Sequence, residues 1–379
     1  MLKKDRPIAI WLLLGCFLIF AMVIIGGMTR LTNSGLSMVE WNLFMGSVPP
    51  TSEANWQELF NKYKQYPEYK LVNFNISLEE FKSIFYWEYG HRMFGRMIGL
   101  VFIIPFLWFW IKGRITKDLM PKLLIILALG AFQGFLGYWM VESGLVKDPD
   151  VSHYRLAAHL TTAFLTFAYT FWVALGLVYG KSEIGNRKSE ILEEDTRTQS
   201  PDSDQSNPAI GHRPSAPNES SNRPPIFKWI RVLLVVLVIQ IIWGAYVAGL
   251  NAGKVYNTWP KMGEKWIADG VTAMSPWWHN FVEGLAGVQF VHRYLAYAVL
   301  GLVIFIFFKG KRMNLFVSQR RGLNALLIAV GAQFFLGIFT VLYGVPLWLG
   351  VVHQLGAFVL LGATVYVLQR FQFLPSTRD

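Results

Sequence analysis

The sequence predicts an all-α integral membrane protein whose eight transmembrane helices form two tandem four-helix bundles. Three observations support this fold class: an apolar composition, eight runs long enough to cross a bilayer, and an internal repeat. Of the 379 residues, 53% are hydrophobic and only 16% are charged, whereas soluble domains carry about 25% charged residues. The composition therefore disfavours a soluble globular protein.

Eight apolar runs, here called spans 1 to 8, reach the length of about 20 residues that a helix needs to cross the hydrocarbon core. They cover residues 8–28, 89–111, 120–141, 156–179, 229–250, 285–308, 322–344 and 347–369. Span 1 follows a basic start, but its apolar stretch is too long for a signal peptide, and no small-residue cleavage pattern follows it. We expect span 1 to be retained as a helix.

The net charge of +11 does not indicate a nucleic-acid partner, because the basic residues sort by loop instead of forming one patch. They precede span 1 and lie between spans 2 and 3 and between spans 6 and 7: Lys3, Lys4 and Arg6; Lys112, Arg114, Lys117 and Lys122; Lys309, Lys311, Arg312, Arg320 and Arg321. The positive-inside rule then predicts cytoplasmic termini. The long loops 30–86 and 251–284 are predicted to face outward.

Residues 181–226 are rich in Ser, Pro and charge, a composition that cannot bury enough apolar surface to fold alone. We expect a disordered cytoplasmic linker here. The predicted organisation is an N-terminal four-helix half at 1–180, the linker at 181–227, and a C-terminal four-helix half at 228–379.

The two halves repeat each other, with each change of offset falling in a loop. Gly26, Asn33, Gly35 and Trp41 recur 218 residues later as Gly244, Asn251, Gly253 and Trp259; His91 and Arg92 recur after 201 as His292 and Arg293; Gln133, Leu136 and Gly137 recur after 200 as Gln333, Leu336 and Gly337; His159 recurs after 194 as His353. Each repeat holds an even number of spans. A pseudo-twofold axis along the membrane normal is therefore predicted.

Four of the seven histidines lie within spans, one near the start of each even-numbered span: His91, His159, His292 and His353. A polar side chain at membrane depth is costly unless it has a partner, so each is a functional candidate. Two imidazoles at one height can bind an iron porphyrin from both faces, which pairs His91 with His159 and His292 with His353. The alternative for each residue is a hydrogen bond to a neighbouring helix.

Zinc is the competing metal, but a structural zinc site requires four converging ligands and usually cysteine. The single cysteine, Cys16, lies in span 1. Of the other histidines, His153, His212 and His279 are predicted to be non-ligands. Several glycines near the candidate ligands give room for a flat ligand, or serve ordinary helix packing: Gly90, Gly95, Gly99 and Gly356.

The halves differ at one chemically important position. Glu88 lies three residues before His91, on the same helix face, whereas Gln289 occupies the matching position before His292. A carboxylate can accept a proton and an amide cannot, which suggests that the first half performs chemistry and the second holds a cofactor. Alternatively, Glu88 is an interfacial charge paired with Arg92 or Arg96. Arg92 and Arg293 either neutralise haem propionates or extend to the interface.

These residues occur in segments that resemble the haem A synthase family, in its cysteine-free branch, which includes the mitochondrial-type enzymes. The matching segments are Gly27–Ser37, Glu88–Arg92, Tyr154–Leu160, Gln289–Arg293 and Val352–Gln354. The resemblance covers both halves and all eight spans, and it leaves out the linker.

The resemblance implies an oxidoreductase that oxidises the C8 methyl group of haem O to the formyl group of haem A. His292 and His353 would ligate a resident haem b, and His91 and His159 would receive haem O beside Glu88. Implied partners are membrane lipid, haem O synthase and the assembly of a terminal oxidase, with the electron-transfer partner and any homo-oligomer left open. Because no transit peptide precedes span 1, we expect a bacterial inner membrane.

Two other functions fit the histidines. A diheme electron-transfer subunit would hold permanent haems in both pairs without substrate turnover. A transporter built from parallel repeats would use the intramembrane histidines as a proton relay, and it would be colourless. Extracted pigment distinguishes the three classes.

Overall fold

The computed structural model describes residues 5–39, 48–145, 150–198 and 225–372. Within these ranges the regular structure is helical, and strand-like pairing is limited to one isolated bridge between Met262 and Lys265. The α-helices in the described ranges are α1 (Arg6–Leu31), α2 (Glu53–Tyr63), α3 (Pro67–Leu71), α4 (Leu78–Ile111), α5 (Met120–Gly144), α6 (His153–Thr198), α7 (Pro225–Gly249), α8 (Leu285–Lys311), α9 (Val317–Leu342) and α10 (Leu347–Phe371). Three short 3-10 helices lie between α7 and α8, at Ala252–Lys254, Asp269–Thr272 and Trp277–Phe281.

Eight of these helices, α1 and α4 to α10, are long and apolar enough to cross a membrane. This confirms the eight predicted spans. Helix α4 begins at Leu78, well before the predicted start at residue 89, because Ser77 and Glu80 form a capping box there. The backbone N–H of Ser77 donates to the Glu80 carboxylate at 2.7 Å, and the backbone N–H of Glu80 donates to the Ser77 hydroxyl at 3.3 Å.

Helix α6 continues to Thr198, so the first part of the segment at 181–226 is helical where its composition predicts irregular chain. The added stretch is rich in Glu, Lys and Arg, which are good helix formers, and it extends a helix that is already nucleated. Residues 199–224 lie outside the described residues. A linker there, and the domain limits drawn from it, stay predictions.

The membrane helices of each half contact one another in a ring. In the first half, α1 packs against α4 and α6, and α5 packs against the same two helices; α7, α8, α9 and α10 repeat this order. Contacts between the halves involve α1, α6, α7 and α10. Near their centre, Phe164 of α6 and Phe358 of α10 meet edge to face at 5.0 Å between ring centroids. Each follows a candidate histidine by five residues, which supports the predicted pseudo-twofold relation.

The loops that follow α1 and α7 begin with the same backbone conformation. Asn33 and Asn251 have φ values of 50° and 54°, in the left-handed region that asparagine tolerates better than most side chains. These residues are related by the offset of 218. The long connections 32–77 and 250–284 follow, and we call this end of the molecule the long-loop end; the opposite end is the basic end.

At the long-loop end, polar contacts join the two halves. The guanidinium of Arg30, at the end of α1, donates to the carbonyls of Ala248 and Gly249 in the last turn of α7, where the helix dipole favours a cation. His153 Nε2 lies 3.0 Å from the carbonyl of Val282. A methyl group added at Gly249 would lie 2.5 Å from Cβ of His153, so α6 and α7 touch backbone to backbone.

Helices α2 and α3 pack on the start of α4 through an aromatic cluster of Trp56, Phe60, Tyr63, Phe81 and Phe85. Glu68 is buried beside this cluster. Its carboxylate accepts a hydrogen bond of 3.0 Å from the Tyr63 hydroxyl. Burial raises the pKa of Glu68 from 4.5 to about 8, against the opposing effect of the Tyr63 hydrogen bond.

This raised pKa predicts that the long-loop helices lose stability as the pH rises. Between pH 4.5 and about 8 the folded state keeps the Glu68 proton that the unfolded state has released, so the free energy of unfolding falls across that window. Protease cleavage within residues 48–77 should therefore accelerate from pH 6 to pH 9, and Glu68→Gln should flatten the dependence. The exposed Glu58→Gln is the matched control. Equal pH dependence in all three proteins would contradict the prediction.

Candidate functional site

Each of the four intramembrane histidines packs its ring against a glycine of the neighbouring helix in the same half. A methyl group added at Gly26, Gly244 or Gly337 would lie 3.0 Å from Cε1 of a histidine ring, and one added at Gly137 would lie 3.3 Å away. The four pairs are Gly26 with His91, Gly137 with His159, Gly244 with His292, and Gly337 with His353. No side chain larger than hydrogen fits these positions without displacing an imidazole.

A glutamine lies one helical turn before three of these glycines, and it binds the backbone of the paired histidine. Gln133 Nε2 donates to the carbonyl of His159 at 2.9 Å, Gln240 to that of His292 at 3.1 Å, and Gln333 to that of His353 at 3.0 Å. The matching residue on α1 is Met22. The glutamine therefore fixes the position of the histidine along the helix axis. The glycine four residues later fixes how closely the histidine ring approaches the neighbouring helix.

In the second half, the structure brings the two candidate ligands together. The ring centroids of His292 and His353 are 6.4 Å apart, with the ring planes at 88°. Metal–imidazole bonds are about 2.0–2.1 Å long, and the ring centre lies about 1.1 Å behind the bonding nitrogen, so two imidazoles on opposite sides of one metal have centres about 6.3 Å apart. The observed separation fits a shared iron.

The polar atoms around these rings also fit a metal porphyrin better than zinc. Buried Nδ1 atoms of His91, His292 and His353 have no hydrogen-bond partner, an arrangement that costs free energy unless a ligand is bound nearby. Among the described residues, no group of three or more His, Cys, Asp or Glu side chains converges as a metal site. Two ligands from the protein match a haem, whose remaining donors belong to the porphyrin, and they do not complete a zinc site.

Glu88 is almost fully buried, with 2% of its surface exposed, and it is held by three donors. Its Oε1 accepts from Arg92 at 2.5 Å, and its Oε2 accepts from the Ser37 hydroxyl at 2.7 Å and from the backbone N–H of Met38 at 2.8 Å. The predicted alternative pairing with Arg92 is therefore present. These bonds attach the loop after α1 to α4.

The matching site of the second half has the same frame with a different polarity. Arg293 donates to the carbonyl of Tyr256 at 2.6 Å, as Arg92 donates to that of the repeat-related Met38 at 2.9 Å. Gln289, in place of Glu88, donates to the Tyr256 carbonyl at 3.1 Å. Arg293 also donates to the carbonyls of Thr258 and Lys261. Both arginines thus hold the loops that follow α1 and α7. The contact of each arginine with haem propionates stays a prediction.

Other residues singled out in the sequence lie elsewhere. Gly356 leaves room for the Gln333 side chain, since a methyl group added at Gly356 would lie 2.0 Å from Oε1 of Gln333. Helix packing therefore explains this glycine. Gly95 faces Met22 of α1, and no atom lies within 4 Å of a methyl group added at Gly90 or Gly99. His279 lies 3.6 Å from Glu283, and His153 has the inter-half contact described above. His212 lies outside the described residues.

Sequence reasoning missed Ser37 and the role of the four glycines that face the histidines. Gly26, Gly137, Gly244 and Gly337 appear in the repeat, but a repeat does not tell which helices are neighbours. Ser37 had a detectable signal, because the repeat-related residue at the offset of 218 is Val255. The hydroxyl is thus present only in the half that also has the carboxylate.

Comparison with known proteins identifies the family of this chain. The family model described as "Cytochrome oxidase assembly protein" matches residues 9–365. Proteins named "Heme A synthase" from Flavobacterium psychrophilum and Flavobacterium johnsoniae are 47% and 45% identical, over 98% of this chain and 99% of each relative. The chain belongs to the haem A synthase family. A more distant member of the haem A synthase family, from Nitrosospira multiformis, is 43% identical over 96% of this chain and 93% of its own length.

The glycine contacts predict how this member of the haem A synthase family responds to a small overpacking. Gly337→Val should push the His353 ring away from α9 and reduce haem retained by the second half, because overpacking costs about 1–3 kcal/mol. The measurement is haem content per purified protein together with the visible absorption spectrum. Gly331→Val on the same helix is the control, since no atom lies within 4 Å of its added side chain. An unchanged spectrum for Gly337→Val would contradict the assignment.

Proposed function

We propose that this protein oxidises the C8 methyl group of haem O to the formyl group of haem A, the haem that serves terminal oxidases. The enzyme would be an oxidoreductase. The observation that carries the proposal is the paired arrangement of intramembrane imidazoles, each packed against a glycine of the neighbouring helix. The relatives named "Heme A synthase" support it over nearly their full length.

We infer that His292 and His353 hold a resident haem b. Their 6.4 Å separation supports this assignment, and the loop pinned by Arg293 would cover the propionate edge. When bound, this haem would supply one-electron redox chemistry. The protein's own contribution is to fix both rings through Gly244, Gly337 and the two glutamines that precede them.

The first half, with His91 and His159, is proposed as the substrate site because it offers more room. Haem O carries a long isoprenoid chain that haem b lacks. One and two turns after His91 lie Gly95 and Gly99, and on α5 Gly130 and Gly134 share the face of Gly137. The matching residues of the second half are larger: Ala296, Leu300, Val330 and Phe334.

The packing of Val330 and Phe334 supports the proposal that the second half has less free space than the first. Val330 is buried in the hydrophobic core that the two halves share, and Phe334 packs on Tyr297 with 5.4 Å between ring centroids. In the first half, a methyl group added at Gly99, Gly130 or Gly134 would have no atom within 4 Å.

Glu88 is proposed to accept a proton released when the methyl carbon is oxidised. A carboxylate can take up a proton, and three hydrogen bonds hold this one in a fixed position. The methyl carbon would lose four electrons to an acceptor outside the chain and gain two hydroxyl groups, giving a hydrated aldehyde that loses water to become the formyl group. Arg92 would hold the carboxylate in position and lie near the propionates of the substrate.

The chain is a multi-pass membrane protein with eight membrane-crossing helices. We propose that it lies in a bacterial inner membrane, with the basic end and both termini in the cytoplasm, following the positive-inside rule. The site would then lie near the outer surface. Haem O synthase would supply the substrate, and terminal-oxidase assembly would receive the product. The electron acceptor and any homo-oligomer stay open.

Pigment extraction tests the proposed function. Purified protein, expressed with a haem O source, should yield haem B together with haem O or haem A on chromatography. A diheme electron-transfer subunit would contain the same pigment with or without haem O, and a transporter would contain none. Either of those results would remove the proposed activity.

Glu88→Gln copies the second half and tests the proton role. Haem A formation should fall by about 100-fold, the usual contribution of a general base, while the haem b spectrum stays unchanged. The product is measured by chromatography of extracted haems. Ser37→Val, which copies Val255, removes one donor to the carboxylate and should give a smaller loss. Normal product formation by Glu88→Gln would exclude Glu88 from the chemistry.

Filling the first half tests the location of the substrate. The double variant Gly130→Val and Gly134→Phe copies the second half, and it should reduce haem A formation by about tenfold or more, because a misplaced substrate loses its reactive geometry. Haem b content reports that the protein is folded. The control is Gly176→Val on α6, where a methyl group added at the glycine likewise has no atom within 4 Å. If the double variant keeps full activity, the substrate lies elsewhere.

A further inference from the structure

A cavity at the basic end of the second half has no part in the proposed reaction. It has a volume of about 470 Å³ and lies between the start of α7 and the end of α8. Its lining combines an apolar wall with two cations: Ile226, Phe305, Phe308 and Met313 with Lys309 and Arg312. Such a lining suits an amphiphilic ligand with an anionic head group.

The aromatic residues position the cationic side chains at this cavity. Lys309 Nζ lies 5.7 Å from the ring centroid of Phe305, and Trp229 packs edge to face on that ring at 5.0 Å between centroids. Arg312 is the C-cap residue of α8 and is exposed. Among the residues that the structure describes, neither Lys309 nor Arg312 forms an ion pair with a carboxylate. Both charges therefore remain available to an external anion.

The first half shows that helix packing does not require these charges. At the offset of 201 that relates His91 to His292, the residues matching Lys309 and Arg312 are Trp108 and Ile111. The apolar wall is kept, since Ile8 matches Ile226 at the offset of 218. At these two positions only the second half has a cation, and the first half instead has Lys112 and Arg114 in the following loop.

We propose that this cavity binds one anionic phospholipid from the leaflet at the basic end. The head-group phosphate would lie between Lys309 and Arg312, and an acyl chain would lie along Phe305 and Phe308. Helix α8 ends at Lys311, which places both cations at the membrane surface, where head groups lie. Basic pockets between membrane helices recognise such lipids.

Native mass spectrometry of the full-length protein tests the site, with phosphatidylglycerol and phosphatidylethanolamine as the two probes. The wild type should retain one phosphatidylglycerol in preference to phosphatidylethanolamine. Lys309→Gln with Arg312→Gln should weaken phosphatidylglycerol binding by about 25-fold, and each single variant by about fivefold. The control Arg320→Gln with Arg321→Gln removes the same charge at the same end and should bind normally. An unchanged haem spectrum shows that each variant is folded.

Four outcomes would overturn the proposal. Equal retention of the two lipids would show that the head-group charge is not recognised. An equal loss in the control variant would indicate a diffuse charge effect. Displacement of phosphatidylglycerol by an equal concentration of inorganic phosphate would indicate a free-anion site. A several-fold gain in lipid binding after deletion of residues 199–220 would identify the chain's own acidic segment as the occupant.

Discussion

The structure depends on the contact, within the membrane, between each of the four histidine rings and a glycine of the neighbouring helix. An imidazole in hydrocarbon needs a partner and a fixed position, and a glycine on the adjacent helix supplies the position by allowing contact with Cε1. The glutamine one turn earlier binds the histidine carbonyl and sets the register of the two helices. Helix spacing in each half follows from these contacts.

The repeated frame then accommodates two different environments. Arg92 and Arg293 bind the carbonyls of the repeat-related residues Met38 and Tyr256, so the loops lie over both sites in the same way. The side chains that differ beneath these loops include the carboxylate of Glu88 and the hydroxyl of Ser37. Under the proposed function, the duplicated bundle separates cofactor binding from substrate chemistry without a change of fold.

Much of this could be predicted from sequence because the signals are local. Hydropathy gave eight spans, and the periodic recurrence of His91, His159, His292 and His353 gave the candidate ligands. The early start of α4 was also encoded locally, in the Ser77 and Glu80 pair, but hydropathy alone does not register a helix that extends into water. The helical continuation of α6 to Thr198 was missed because the prediction used the average composition of residues 181–226 and not the helix propensity of the first part of that segment.

Other features could not be predicted, because they depend on which helices are neighbours. The contact of Glu88 with Ser37 joins residues far apart in the chain, and the pairing of Gly137 with His159 requires α5 and α6 to be adjacent. The cluster of Trp56, Phe60 and Phe81 likewise forms only when α2 folds back on α4. A single sequence carries no direct record of such proximity.

The joint between α1 and α7 has a consequence for how the chain is held together. Because Arg30 occupies the carbonyls that end α7, and Gly249 lets α6 approach that helix closely, the two repeats are fastened by their own surfaces. These contacts lie among the described residues, on either side of the covalent bridge at 199–224. Two separately synthesised polypeptides, divided within this bridge, would carry all the described surfaces needed to associate.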